Sequence, residues 1–229
     1  AQHPTLVMYG GRRTGKTSTL NYLPQWMPSD ILPLLVDGQG LAGSSTLAGF
    51  AEGFAHQVGR SARKVHDLSL PAPDGQSLDR DPIIALERWL DKVEAAIPDK
   101  TLLICLDEFE RLDEIVEATG SKAPLNFLRH LIQHRETCTL LFAGAHMPEE
   151  LPAYWSDYLI NSQTLRVSYL EEADCLELIR QPVPDFPDIY PAGTAEEIAQ
   201  LTGGQPYFTQ LFCSELVEHL NRNQAKMVS

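Results

Sequence analysis

Gly10-Gly11-Arg12-Arg13-Thr14-Gly15-Lys16-Thr17 follows directly on the apolar run Leu6-Val7-Met8-Tyr9 and precedes a helical pattern. The spacing is G-x-x-x-x-G-K-[ST]. Glycines let such a loop curl until its backbone N–H groups surround an anion. A helix beginning near Gly15 aims its positive end at the same point. Lys16 adds a full charge for β- and γ-phosphates, and the Thr17 hydroxyl suits Mg²⁺. The candidate phosphate-contacting set is Gly10, Gly11, Arg12, Arg13, Thr14, Gly15, Lys16, Thr17 and Ser18. For Arg12 and Arg13 two readings stand side by side: a contact to phosphate or to a neighbouring subunit, or an exposed loop arginine.

Outward from this loop, short apolar runs alternate with helical patterns. Runs at 31–36, 101–106 and 139–143, with a shorter one at 164–167, join 6–9 as strands. Between them the pattern predicts a helix from Gly15 to Tyr22, stopped by Pro24, and a weakly patterned helix over 44–66. Residues 69–80 read as a loop rich in Pro, Asp, Gly and Ser. A helix begins at Asp81-Pro82 and another at Pro124. Strands apolar on both faces and alternating with helices imply a parallel sheet covered on both sides, an α/β fold. After Ser168 the pattern is helical only, with a capping box at Thr194-x-x-Glu197 and a last helix from Pro206. The expected division is a core of 1–167 and a small helical subdomain of 168–229.

Leu102-Leu103-Ile104-Cys105-Leu106-Asp107-Glu108 is an apolar strand ending in two acids. Beside a polyphosphate such a pair has work to do. Asp107 is placed to hold Mg²⁺, with Thr17 as the second protein ligand. Glu108 is placed to polarise an attacking water.

The net charge of −13 repels phosphate backbones and anionic membranes, so it argues against a nucleic-acid or membrane partner. The basic cluster Arg60-Ser61-Ala62-Arg63-Lys64 reads as a solvated helix end. Cys105, Cys138, Cys175 and Cys213 each lie in an apolar stretch without C-x-x-C spacing, which fits buried free thiols in a reducing, cytoplasmic setting. The start at Ala1, almost on a strand, fits a piece of a longer protein.

With these motifs placed, the chain resembles a STAND-type P-loop ATPase, a signalling relative of the AAA+ ATPases. The resemblance rests on residues 9–18 and on Leu106-Asp-Glu-Phe-Glu-Arg-Leu112. It rests further on Leu141-Phe-Ala-Gly-Ala-His146 and Leu201-Thr-Gly-Gly-Gln-Pro-Tyr207. It implies a P-loop NTPase fold with a five-stranded sheet ordered 5-1-4-3-2 and a helical lid over the nucleotide. It implies ATP or ADP with Mg²⁺ as cofactors, and Pro206 against the adenine. It also implies a sensor strand ending at Ala143-Gly144, where an Asn or Thr is usual; His146 is the nearest polar candidate. No arginine finger stands out, since Arg129 and Arg135 read as a solvated helix face. Flanking domains, among them a winged helix, and a nucleotide-dependent homo-oligomer are the implied partners.

The leading reading is an ATP-binding, slowly hydrolysing switch. An assembly module with negligible turnover and a DNA-associated ATPase stand as alternatives. A small-molecule kinase fits poorly, because 168–229 carries few arginines.

Overall fold

The structure, a computed structural model, describes residues 5–159 and 161–228; the ends of the expected core and subdomain at 1–4 and 229, and Ile160, lie outside the described residues. Five strands form one sheet: Leu6–Tyr9 (β1), Ile31–Asp37 (β2), Thr101–Asp107 (β3), Cys138–Gly144 (β4) and Gln163–Arg166 (β5). The helices between them are Lys16–Trp26 (α1), Gly38–Ala42 (α2), Leu47–His66 (α3), Gly75–Arg80 (α4), Pro82–Ala96 (α5), Leu112–Thr119 (α6), Ala123–His134 (α7) and Trp155–Leu159 (α8). Glu172–Arg180 (α9), Thr194–Thr202 (α10) and Pro206–Asn223 (α11) follow. Every strand pair is parallel, in the order β2-β3-β4-β1-β5. This is the expected α/β P-loop order, 5-1-4-3-2, read from the other edge.

Two compact units divide the chain. One runs through Gly10 and resumes at Lys16–Arg166; the other takes Gly11–Gly15 and everything from Val167 onward. The first unit is built on Val7, Leu34, Val36, Phe50, Phe54, Leu102, Ile104 and Phe142, all essentially without solvent contact. The second has its own core of Cys175, Ile179, Ile189, Tyr190, Ala195, Ile198 and Leu220. A shallow apolar groove there is lined by Leu178, Pro182, Phe186, Tyr190, Cys213 and Val217. No helix among the described residues is long and apolar enough to cross a membrane.

Strand β2 lies at the sheet edge, so among the described residues one side of its backbone has no strand partner. Helix α3 supplies the missing bonds at every second residue. The His66 ring donates to Pro33 C=O (2.9 Å), Leu35 N–H donates to Ser61 Oγ (2.8 Å), and Asp37 N–H donates to Gln57 Oε1 (2.7 Å). Gln57 Nε2 returns a bond to Asp37 C=O at 3.1 Å. Pro33, which has no N–H to give, sits on this same outward set, where proline is tolerated. The helical pattern over 44–66 was weak for this reason: Gln57 and Ser61 are polar residues on the buried face of α3.

Four local expectations are corrected. Pro24 lies inside α1, which continues to Trp26. So close to the helix end it forfeits one backbone donor, and Met27 N–H still reaches Leu23 C=O at 2.9 Å. Within the expected loop 69–80, Gly75–Arg80 is a single short helix that buries only Leu78, too little to give a periodic signal. The capping box at Thr194 does not form: the N-cap is Gly193 at φ 90°, and its C=O takes Glu197 N–H at 3.0 Å. A left-handed glycine lets the chain enter α10 one residue early. Arg135 is not on a solvated face: it pairs with Glu94 (2.5 Å) and Asp91 (2.7 Å) and donates to Glu87 C=O (2.9 Å), tying α7 to α5. Arg129, by contrast, is exposed, its guanidinium 5.8 Å from the Tyr158 ring centroid.

The cysteines are free thiols; Cys213 is only half-buried, the other three buried. Burial pushes the Cys105 and Cys138 thiols up to about 12.

If α3 caps the edge of β2 through side chains, Gln57→Leu strands the N–H and C=O of Asp37 in a buried position. Chemical denaturation should show a loss of about 2 kcal/mol, the scale of an unsatisfied buried pair. A loss below a few tenths would mean water replaces Gln57 there.

Candidate functional site

Parallel pairing brings the C-terminal ends of the strands to one side of the sheet. Tyr9, just before Gly10, is in register with Gly144, and Asp107 with Ala143. Strand β4 therefore stands between the strand that leads into the glycine-rich loop and the strand that carries the acids. Ligands in open α/β sheets bind beyond such strand ends.

Within the first unit, Thr17 Oγ1 donates to Asp107 Oδ2 at 2.5 Å, and Glu108 N–H donates to Asp107 Oδ1 at 3.1 Å. The sequence separates Thr17 from Asp107 by ninety residues, and the fold joins them. Burial raises the Asp107 carboxyl above its ordinary range, while the bonds from Thr17 and Glu108 and the charge of Lys16 pull it back. Burial likewise lowers the Lys16 ammonium, opposed by Asp107, then Glu110, then Glu108. Lys16 Nζ donates to Gly10 C=O at 2.7 Å.

Gly15 has φ 99°, in the region that favours glycine, immediately before the first residue of α1. Thr14 is buried, its hydroxyl donating to Gly11 C=O at 2.9 Å. Gly11, Arg12 and Ser18 are exposed. Arg13 is also exposed at φ 63°, and its guanidinium lies 4.1 Å from the centroid of the Tyr207 ring, within the second unit. Pro206 is the first residue of α11, half-buried, after a Gln205 N-cap whose side chain accepts Phe208 N–H at 2.9 Å.

Glu108 is exposed and left-handed at φ 48°, uncommon for a residue with a Cβ and a form of strain that clusters at functional sites. His146 lies two residues beyond β4 on an exposed turn, Nδ1 3.7 Å from Glu150 Oε2. The acid that does meet the end of β4 is Glu110, whose Oε1 accepts Ala145 N–H at 2.9 Å. Sequence reading passed over it; the available signal was a third acid in Asp107-Glu108-Phe109-Glu110. A hydroxyl and a carboxylate converging as Thr17 and Asp107 do are hard oxygen donors, and they fit Mg²⁺, which takes few protein ligands and keeps several waters.

A sequence model described as AAA domain matches residues 2–151. No curated protein matches the chain. Among solved structures, a Walker-type ATPase of Pyrococcus abyssi aligns at TM-score 0.66 and 16% identity, over 93% of this chain and 62% of its own. Cdc6p of Pyrobaculum aerophilum aligns at 0.62 and 13%, over 98% of this chain and 57% of its own. The Orc1 protein of Aeropyrum pernix, solved in complex with DNA, aligns at 0.62 and 14%, over 100% and 57%. At these identities the likeness is one of fold. The chain spans about three fifths of the length of the proteins it matches.

Because burial disfavours the ionised form of Asp107, Asp107→Asn should stabilise the ligand-free fold. About 1 kcal/mol near neutral pH is the scale of a poorly compensated buried polar group. The sign follows from the raised carboxyl. Its folded form holds the proton more tightly, so the wild-type chain loses stability as pH rises through the folded pKa. The advantage of the Asn variant should shrink toward zero as pH falls below the unfolded carboxylate value, about 3.9. Thermal melts across pH read this, and a variant less stable than wild type at neutral pH would contradict it.

Proposed function

Because the chain belongs to the AAA domain family, we propose that this P-loop ATPase domain binds Mg-ATP through Gly10–Ser18 and Asp107 and hydrolyses it slowly, as the switch of a larger signalling protein of STAND type. The observation that carries this reading is the Thr17–Asp107 bond at 2.5 Å, which joins the two motifs at one point. Backbone N–H groups of residues 11–16 take the phosphates, and Lys16 exchanges Gly10 C=O for β- and γ-oxygens. An anion beside it would raise the depressed ammonium back toward its ordinary range. Thr17 Oγ1 and the Asp107 carboxylate would hold Mg²⁺, which would supply charge stabilisation to the phosphates. Glu108 takes the proton of the attacking water. Pro206 packs on the base, and His146 has at most an outer role because of its exposure and its Glu150 partner.

A DNA-associated ATPase is the second reading, favoured by the fold likeness to Orc1 solved with DNA. The charge of −13 works against direct contact by this chain. Duplex DNA at low salt distinguishes the two: binding that weakens steeply as salt rises would support the second.

Calorimetry with Mg-ATP tests the first. Lys16→Ala removes a charge-assisted contact of about 1.5–3 kcal/mol, so affinity should fall by roughly tenfold to a hundredfold. Pro206→Asp should weaken binding without altering its Mg²⁺ dependence. Glu108→Gln should retain binding and slow single-turnover hydrolysis by about a hundredfold or more. Unchanged affinity in Lys16→Ala would overturn the phosphate site; unchanged turnover in Glu108→Gln would remove its role as base.

A further inference from the structure

We propose that Glu110 is a positioning residue that ties the end of β4 to the start of the P-loop and thereby sets how tightly the site takes a terminal phosphate. The proposal rests on the phosphate-site reading above and concerns a residue that reading does not use.

Glu110 belongs to the 3-10 turn Phe109–Arg111 that follows Asp107-Glu108. Phe109 clamps this turn under the sheet. It is fully buried, with its ring 5.2 Å from Phe142 and 5.1 Å from Trp155, both edge-on. The turn is therefore rigid, and the Glu110 side chain is aimed across to β4. Its Oε1 accepts Ala145 N–H at 2.9 Å. The other oxygen fills the space beside Gly144: a Cβ built there would lie 2.3 Å from Glu110 Oε2 and 2.7 Å from the Phe109 ring. Glycine at 144 is what lets the carboxylate approach.

From β4 the connection continues to the loop. Gly10 N–H donates to Gly144 C=O at 3.3 Å, and Gly10 C=O accepts the Lys16 ammonium at 2.7 Å. Four hydrogen-bonded groups thus lie in series: Glu110, Gly144-Ala145, Gly10 and Lys16. Glu110 Oε2 is also buried with no hydrogen-bond partner among the described residues. A carboxylate oxygen left so is costly, and in native proteins such groups mark function or a bound water. The end of β4 lies between Gly10 and Asp107, so whatever fixes it fixes the space between lysine and metal ligands, where a terminal phosphate projects. ADP lacks that phosphate: its β-phosphate meets Lys16 but does not extend into the space beyond.

The test compares Mg-ADP with a non-hydrolysable Mg-ATP analogue by calorimetry in the wild-type chain, Glu110→Ala and Glu110→Gln. Glu110→Ala should weaken the triphosphate about tenfold while ADP stays within twofold. In Glu110→Gln the amide oxygen still accepts Ala145 N–H, and triphosphate affinity should return to within threefold of wild type. Hydrogen exchange without nucleotide gives an independent reading. The amides of Gly10 and Ala145 should exchange at least tenfold faster in Glu110→Ala and stay protected in Glu110→Gln, with residues 102–106 unchanged in both. Equal losses for ADP and the triphosphate, no rescue by Gln, or unchanged exchange at Gly10 and Ala145 would overturn the proposal alone. A wild-type chain that binds neither nucleotide would overturn the phosphate site and this proposal together.

Discussion

Parallel pairing of β1, β4 and β3 is the constraint on which the first unit depends. Parallel neighbours cannot be joined by a tight turn, so each connection is a crossover, and every strand in the set ends on the same side. The apolar composition of β3 and β4 buries them centrally. The residues that follow their last hydrogen bonds are then forced together whatever their distance in sequence. Thr17 meets Asp107, Gly10 meets Gly144, and Glu110 meets Ala145 because of this arrangement and not because of any local affinity.

The convergence has an energetic cost. Lys16 and Asp107 are both held in surroundings that disfavour their charged forms, one lowered and the other raised. Each is partly relieved by the other and by short-range bonds. A fold optimised for stability alone would place apolar or neutral groups there. Keeping the two groups half-buried is a cost that an anion beside Lys16 and a cation beside Asp107 would offset.

Much of this was legible in the sequence because the signals were local. The spacing from Gly10 to Thr17 fixes a backbone shape, and an apolar strand ending in Asp107-Glu108 is a pattern within seven residues. The alternation of runs gave five strands, and resemblance gave their order. What escaped is non-local. Gln57 and Ser61 blurred the periodicity of α3 because their partners are backbone groups of β2, some twenty or more residues away. Arg135 looked like a solvent-facing charge until α5 brought Glu94 and Asp91 beside it. Glu110 carries no motif; only the packing of Phe109 and the absence of a side chain at 144 reveal where it points. The misjudged ends of α1 and α10 have a smaller cause: one proline and one left-handed glycine shift a helix boundary with little expense in hydrogen bonds.

The side-chain cover on β2 also bears on how the chain behaves when it is not fully folded. Ile-Leu-Pro-Leu-Leu-Val over 31–36 is an uncharged, apolar segment. Among the described residues its outward backbone groups are met by the side chains of Gln57, Ser61 and His66 rather than by a strand. Should α3 peel away, that edge becomes a template on which the strand of another molecule can add. Pro33 interrupts the row of donors and weakens such templating, a safeguard that stays in place when the helix does not. Resistance to self-association is thus coupled to the docking of one helix, and the first sign of its loosening would be assembly into aggregates rather than loss of the sheet.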